Sequence, residues 1–135
     1  MTSATSTLQT HYATARSFVA AIDRRDLEAA RACVTEDLVW HTPGETLVSG
    51  DHRGWAGFLA FAARLRDLTD GTFHSANVDV LTGERTVVLY QRNTGERAGK
   101  HLDVRACYVL DFDGDRISAG RAHYDDQAQL AAFWA

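Results

Sequence analysis

The hydrophobic period of this chain changes near its middle, and that switch limits the fold more than any other feature. Leu8, Tyr12, Ala15, Phe18, Val19 and Ile22 recur at helical spacing. A short second helix is expected over 27–34 behind Asp26, a good N-cap residue, and a third runs from Trp55 through Phe58, Phe61 and Leu65 to Leu68. Between them lies a short strand through Trp40 and His41, then a loop or loose hairpin over 44–54. The second half alternates instead. Residues 72–81, 86–94, 101–112 and 116–124 are β-branched and aromatic runs, separated by Thr82-Gly83, by 95–99 and by Asp113-Gly114, all turn chemistries. Three consecutive hairpins follow, and a closing helical segment over 127–134 brings Leu130, Phe133 and Trp134 back onto the body. Helices first and a strand meander afterwards describe an α+β domain with helices on one face of a curved sheet. Residues 1–7 read as a disordered tail and 8–135 as one domain without repeats.

Composition removes several function classes. A chain of 135 residues with 45% hydrophobic residues builds one real core but not two. The net charge is −4 and the basic residues are scattered, which argues against nucleic-acid partners. No uncharged apolar run spans a bilayer and the N-terminus lacks a basic-then-apolar leader, so a soluble cytoplasmic protein is expected. Cys33 and Cys107 match no ligand or redox spacing. Asp111, Asp113 and Asp115 imitate a calcium loop without its distal acid, and no phosphate cradle or dinucleotide fingerprint is present. Neither a metal nor a cofactor is expected.

The segment Leu38-Val39-Trp40-His41-Thr42-Pro43-Gly44 sets an imidazole at the end of an apolar strand, where the only proline stops it. Histidine titrates near neutrality, so at such a position it serves as a proton carrier, or simply as a core residue with a satisfied hydrogen bond. Strand parity groups Val88, Tyr90 and Arg92 on one face, Val104, Ala106, Tyr108 and Leu110 on another, and Gly120, Ala122 and Tyr124 on a third.

Phe18-Val19-Ala20-Ala21-Ile22 with Arg25-Asp26-Leu27, then 37–44, Ser49-Gly50, Arg53-Gly54, Phe112-Asp113-Gly114-Asp115-Arg116-Ile117 and Asp126-Gln127, resemble in order and spacing the SnoaL-like branch of the nuclear transport factor two-like superfamily. The resemblance spans nearly the whole chain. It implies a cone, with helices inside a strongly bent antiparallel sheet and one deep pocket. The superfamily includes ketosteroid isomerases, polyketide cyclases, epoxide hydrolases and proteins without catalysis, so fold leaves function open.

Laid on the isomerase pattern, His41 takes the position of the general base and Tyr108 that of the oxyanion donor, while Phe18 replaces the second donor, a tyrosine. With Tyr108 inside, the resemblance puts Tyr90, Arg92 and Tyr124 inside as well. Phe18, Trp40, Trp55 and Phe58 complete the substrate contacts. Tyr90 and Tyr124 also suit ordinary strand aromatics, and Arg92 a structural salt bridge. An epoxide hydrolase relay around Arg92 is disfavoured, because its carboxylates would fall on Thr94 and Ala122. The cyclase acid also falls on Ala122, which leaves Asp125 and Asp126 as the nearby carboxylates.

Two readings result. One is a cofactor-free proton-transfer enzyme, an isomerase, cyclase or lyase, acting on an apolar carbonyl compound with His41 as base and Tyr108 as donor. The other is a non-catalytic protein that holds a hydrophobic small molecule in the same pocket. His101, Asp103 and Arg105, with Arg121, His123 and Asp125, place both signs of charge on the face turned away from it, which suits a homodimer.

Overall fold

The computed structural model describes residues 4–135, with side chains from residue 7 onward. Its elements are α1 (Ala4–Asp23), α2 (Leu27–Ala32), β1 (Val34–Thr42), β2 (Gly50–Arg53), α3 (Gly54–Leu68), β3 (His74–Thr82), β4 (Thr86–Arg97), β5 (Lys100–Asp113), β6 (Arg116–Tyr124) and α4 (Gln127–Phe133). The six strands lie in the order β2-β1-β6-β5-β4-β3, with β1 parallel to β6 and every other pair antiparallel. The sheet curves without closing, and helices fill its concave side: the expected α+β cone.

Local chemistry explains most boundaries. Asp26 caps α2 by accepting from the Ala29 N–H at 3.1 Å, and Asp126 caps α4 from Gln129 at 2.9 Å. α1 starts at Ala4, so residues 4–7 of the expected tail are helical and residues 1–3 lie outside the described residues. α2 stops at Ala32 rather than Val34, because Val34 is already buried as the first residue of β1. The loop expected over 44–54 contains β2, which pairs antiparallel with the end of β1.

The turn between β4 and β5 departs most from expectation. It uses only Ala98 and Gly99, both at positive φ (49° and 76°), as in a type I′ hairpin. Both strands therefore run further than expected, and Arg97 pairs with Lys100. Gly95 becomes a buried strand residue, where an added Cβ would lie 3.6 Å from the Phe133 ring.

Two buried groups of side chains hold the layers together. The larger joins Phe18 and Ala21 of α1 and Phe58 of α3 to Trp40, Leu89, Tyr108 and Ala122 on the sheet. The other seats Leu130, Phe133 and Trp134 on Leu102 and Val104, so the C-terminal segment packs as expected. His11 stacks on Phe112 with ring centroids 4.1 Å apart, and its Nε2 meets the Gly114 carbonyl at 2.9 Å, pinning α1 to the β5–β6 turn.

The convex face carries the charges, paired within one chain. Arg92 makes a two-pronged ion pair with Asp103 (2.9 and 2.6 Å), Arg105 flanks the same carboxylate, and Arg121 reaches Asp111 at 2.7 Å. Neutralising these rows therefore does not itself require a second copy. No described helix is long and apolar enough to cross a membrane.

Trp40 lies opposite Gly120 across the parallel β1–β6 pair, and a Cβ on Gly120 would overlap the indole. Gly120→Ala is expected to cost about 1–3 kcal/mol, the usual range for overpacking, in urea denaturation. That cost should shrink in a Trp40→Leu background. Equal loss in both backgrounds would show that the ring is not what Gly120 accommodates.

Candidate functional site

A cavity of about 340 Å³ lies between the helices and the concave sheet. Alternation along the strands decides what faces it. Trp40 and Thr42 of β1, Leu89, Gln91 and Asn93 of β4, Tyr108 of β5 and Tyr124 of β6 line it, with Phe18 from α1 and Phe58 and Phe61 from α3. The aromatic rings touch in sequence. Trp40 meets Phe58 edge-on at 5.3 Å and lies 5.6 Å from Tyr108, and Phe18 sits 5.9 Å from Phe58.

Polar groups cluster on one wall. Ser75 Oγ donates to Asn93 Oδ1 at 2.9 Å, which orients the amide so that Nδ2 donates to the Tyr108 oxygen at 2.7 Å. Asn93 is only 1% exposed, so this arrangement is fixed by burial. Both hydrogen bonds run in the same direction, and each polarises the next. With Asn93 donating into its oxygen, the Tyr108 hydroxyl has its own proton to give, to Tyr124 or to a bound molecule. Burial pushes the Tyr108 phenol above its ordinary range, against the lowering effect of Asn93, Tyr124 and Ser75. Tyr124 is also raised, by burial and then by the neighbouring Tyr108. Both stay neutral hydrogen-bonding groups at neutral pH. Thr42, on β1, buries a hydroxyl without a hydrogen-bond partner. The charged side chains that reach the cavity, Asp23, Arg25, Arg66 and His74, are exposed and lie at its mouth.

Phe18, Trp40, Phe58, Tyr108 and Tyr124 thus come together as expected. His41 does not. Trp40 and Thr42 point inward, so the residue between them points out, and His41 Nδ1 meets Asp51 Oδ1 at 2.5 Å on the exposed side of the β1–β2 pair. That contact is the main cause of the lowered Asp51 pKa. Tyr90 and Arg92 also lie outside, because Leu89, not Tyr90, pairs with Tyr108. The guanidinium of Arg92 is held by Asp103 as a structural salt bridge on the outer face, so it supports no epoxide hydrolase relay in the cavity. Trp55 stacks on Phe58 at 5.4 Å and buttresses the wall without lining it. Asp125 accepts from the Arg105 N–H and Asp126 caps α4, so neither reaches inward. Ser75, Gln91, Asn93 and Thr42 are not among the site residues expected from the sequence, and the register of the β4–β5 hairpin is the signal that identifies two of them, Gln91 and Asn93.

His52 supports the cavity from behind. It stacks on Phe61 at 4.2 Å and its Nε2 contacts the Val48 carbonyl at 3.1 Å. Burial lowers its pKa below the ordinary 6.5. The unfolded chain therefore takes up this proton first, so acidification below about pH 6.5 favours unfolding until the lowered folded value is passed. Urea midpoints at about pH 8 and about pH 5 should differ less in His52→Gln than in the parent chain. An unchanged difference would remove His52 as a source of acid sensitivity.

Comparison with known proteins places this geometry. Residues 15–120 match the SnoaL-like domain. An uncharacterized protein of Mycobacterium tuberculosis is 31% identical over 121 residues, which cover 89% of this chain and 92% of that protein. Bal32a, from a soil-derived mobile gene cassette, superposes with a TM-score of 0.89 at 34% identity, over 95% of this chain and 98% of its own. A Xanthomonas campestris protein of unknown function with a cystatin-like fold gives 0.84 at 27% identity, over 93% and 98%.

Proposed function

We propose, for a chain that belongs to the SnoaL-like domain family, that the cavity binds a small, largely apolar molecule through one oxygen acceptor set on Tyr108. The carrying observation is the Ser75–Asn93–Tyr108 relay, whose last donor opens into an aromatic chamber. The volume, about 340 Å³, falls at the lower end of small-molecule sites, and an apolar lining with a few convergent polar groups is their usual make-up. A carbonyl, ether or phenolic oxygen fits the donor, and aromatic or alicyclic rings fit the walls formed by Phe18, Trp40 and Phe58.

The family includes cofactor-free isomerases and cyclases, which need a base that reaches the bound carbon acid. His41 stands outside the cavity, and the titratable groups buried in its wall are phenols with raised pKa values. The geometry therefore favours binding over proton transfer.

Prodan, an uncharged naphthyl ketone whose emission reports hydrogen bonding to its carbonyl, tests this reading. Saturable binding is expected. Tyr108→Phe should weaken it about tenfold and shift the emission to the blue, because the ketone loses its donor and an Asn93 N–H is stranded. His41→Gln should leave both unchanged. Binding that is absent, or indifferent to Tyr108→Phe while the variant remains folded, would overturn the proposal.

A further inference from the structure

We infer that the mouth of this cavity selects amphipathic anions: the apolar body lies inside and an acidic head group rests between Arg25 and Arg66. This rests on the binding reading above and adds the ligand's charge to it. Arg25 follows the end of α1 and Arg66 lies in the last turn of α3, and both side chains contribute to the cavity wall. Elsewhere on the surface, Arg24, Arg53, Arg92, Arg105 and Arg121 each pair with an aspartate. Arg25 and Arg66 make no ion pair among the described residues; Arg16, Arg31, Arg85 and Arg116 make none either, but of these six only Arg25 and Arg66 line the cavity.

The backbone adds a second observation. Arg25 sits at φ +57°, a left-handed conformation that glycine or asparagine adopts at lower cost. It is the left-handed residue of the cap that ends α1: the Asp26 N–H donates to the Ala21 carbonyl at 2.8 Å and the Arg25 N–H to that of Ile22 at 3.1 Å. Here it places a guanidinium at the mouth of the cavity.

Among the residues that line the cavity, the charged ones are Arg25, Arg66 and His74 with one carboxylate, Asp23. The excess is cationic at neutral pH even with the imidazole uncharged. Apolar walls beneath it concentrate that field where a head group would rest. Deeper in, the neutral Ser75–Asn93–Tyr108 wall supplies nothing to balance a buried charge. An anion is thus tolerated at the rim and excluded from the interior, and the ligand's orientation is fixed with its charge outward.

Two probes with one skeleton test this: 1-anilinonaphthalene-8-sulfonate, an anion, and N-phenyl-1-naphthylamine, the same rings without the sulfonate. In the full chain, Arg25→Gln combined with Arg66→Gln should raise the Kd of the sulfonate about tenfold and leave the uncharged probe within about twofold. Asp23→Asn should tighten the sulfonate selectively, and about 0.5 M salt should mimic the arginine variants. If both probes weaken together, or the sulfonate ignores the arginines, the rim has no such role, while binding of the uncharged probe keeps the cavity reading intact. If neither probe binds the parent chain, the cavity reading itself fails and this inference falls with it.

Discussion

The Trp40 ring lies where Gly120 leaves room for it, and the rest of the structure is arranged around that contact. β1 is the one strand that joins its larger neighbour in parallel, so it cannot be placed by a hairpin and needs another source of register. Trp40 supplies one. An indole over a residue without a Cβ fits in only one alignment of β1 against β6, since a slip by one position turns the ring to the convex face. Once seated, the same ring meets Phe18, Phe58 and Tyr108, and so ties α1, α3 and β5 to the strand that carries it. The cavity is what remains between these rings and the neutral wall beyond them.

That wall separates two electrostatic environments. On the convex side, charges are numerous, half-exposed and paired, as with Arg92 and Asp103 or Arg121 and Asp111. Such pairs contribute little individually because solvent screens them. On the concave side the polar groups are amides and hydroxyls, buried and oriented by one another. An amide can be buried at modest cost once its hydrogen bonds are made, whereas an unpaired charge cannot. The partition therefore follows from which groups the sheet can bury, and it leaves the interior lined by neutral hydrogen-bonding groups.

The element types and their order were legible in the sequence because periodicity and turn residues encode them locally. Face assignment was less so. A turn over 95–99 pairs even-numbered residues of β4 with even-numbered residues of β5, which turns Tyr90 and Arg92 inward beside Tyr108. The actual two-residue turn at Ala98 and Gly99 pairs odd with even, and brings Leu89, Gln91 and Asn93 inward instead. A few residues at a hairpin tip thus decide which side chains a cavity five or more positions away contains. The family resemblance likewise put Tyr90 and Arg92 inside, since it matched motifs without fixing the register. The aromatic wall was readable for a different reason: Phe18, Trp40 and Phe58 are too large and apolar to sit elsewhere in a small core.

His41 is the sharpest case of the same rule. It follows an inward Trp40 and precedes an inward Thr42, so alternation alone sends it to the surface, where Asp51 on the neighbouring strand takes up its Nδ1. The inward position at this strand end belongs to Thr42, whose hydroxyl is buried without a partner in the same cavity as Tyr108. A proton carrier one residue further along would line the same cavity as Tyr108. With threonine there, the inward position carries a hydroxyl, which together with the Ser75–Asn93–Tyr108 relay gives the cavity neutral hydrogen-bonding groups. Strand parity at this one position thus decides whether a titratable ring or a hydroxyl lines the cavity.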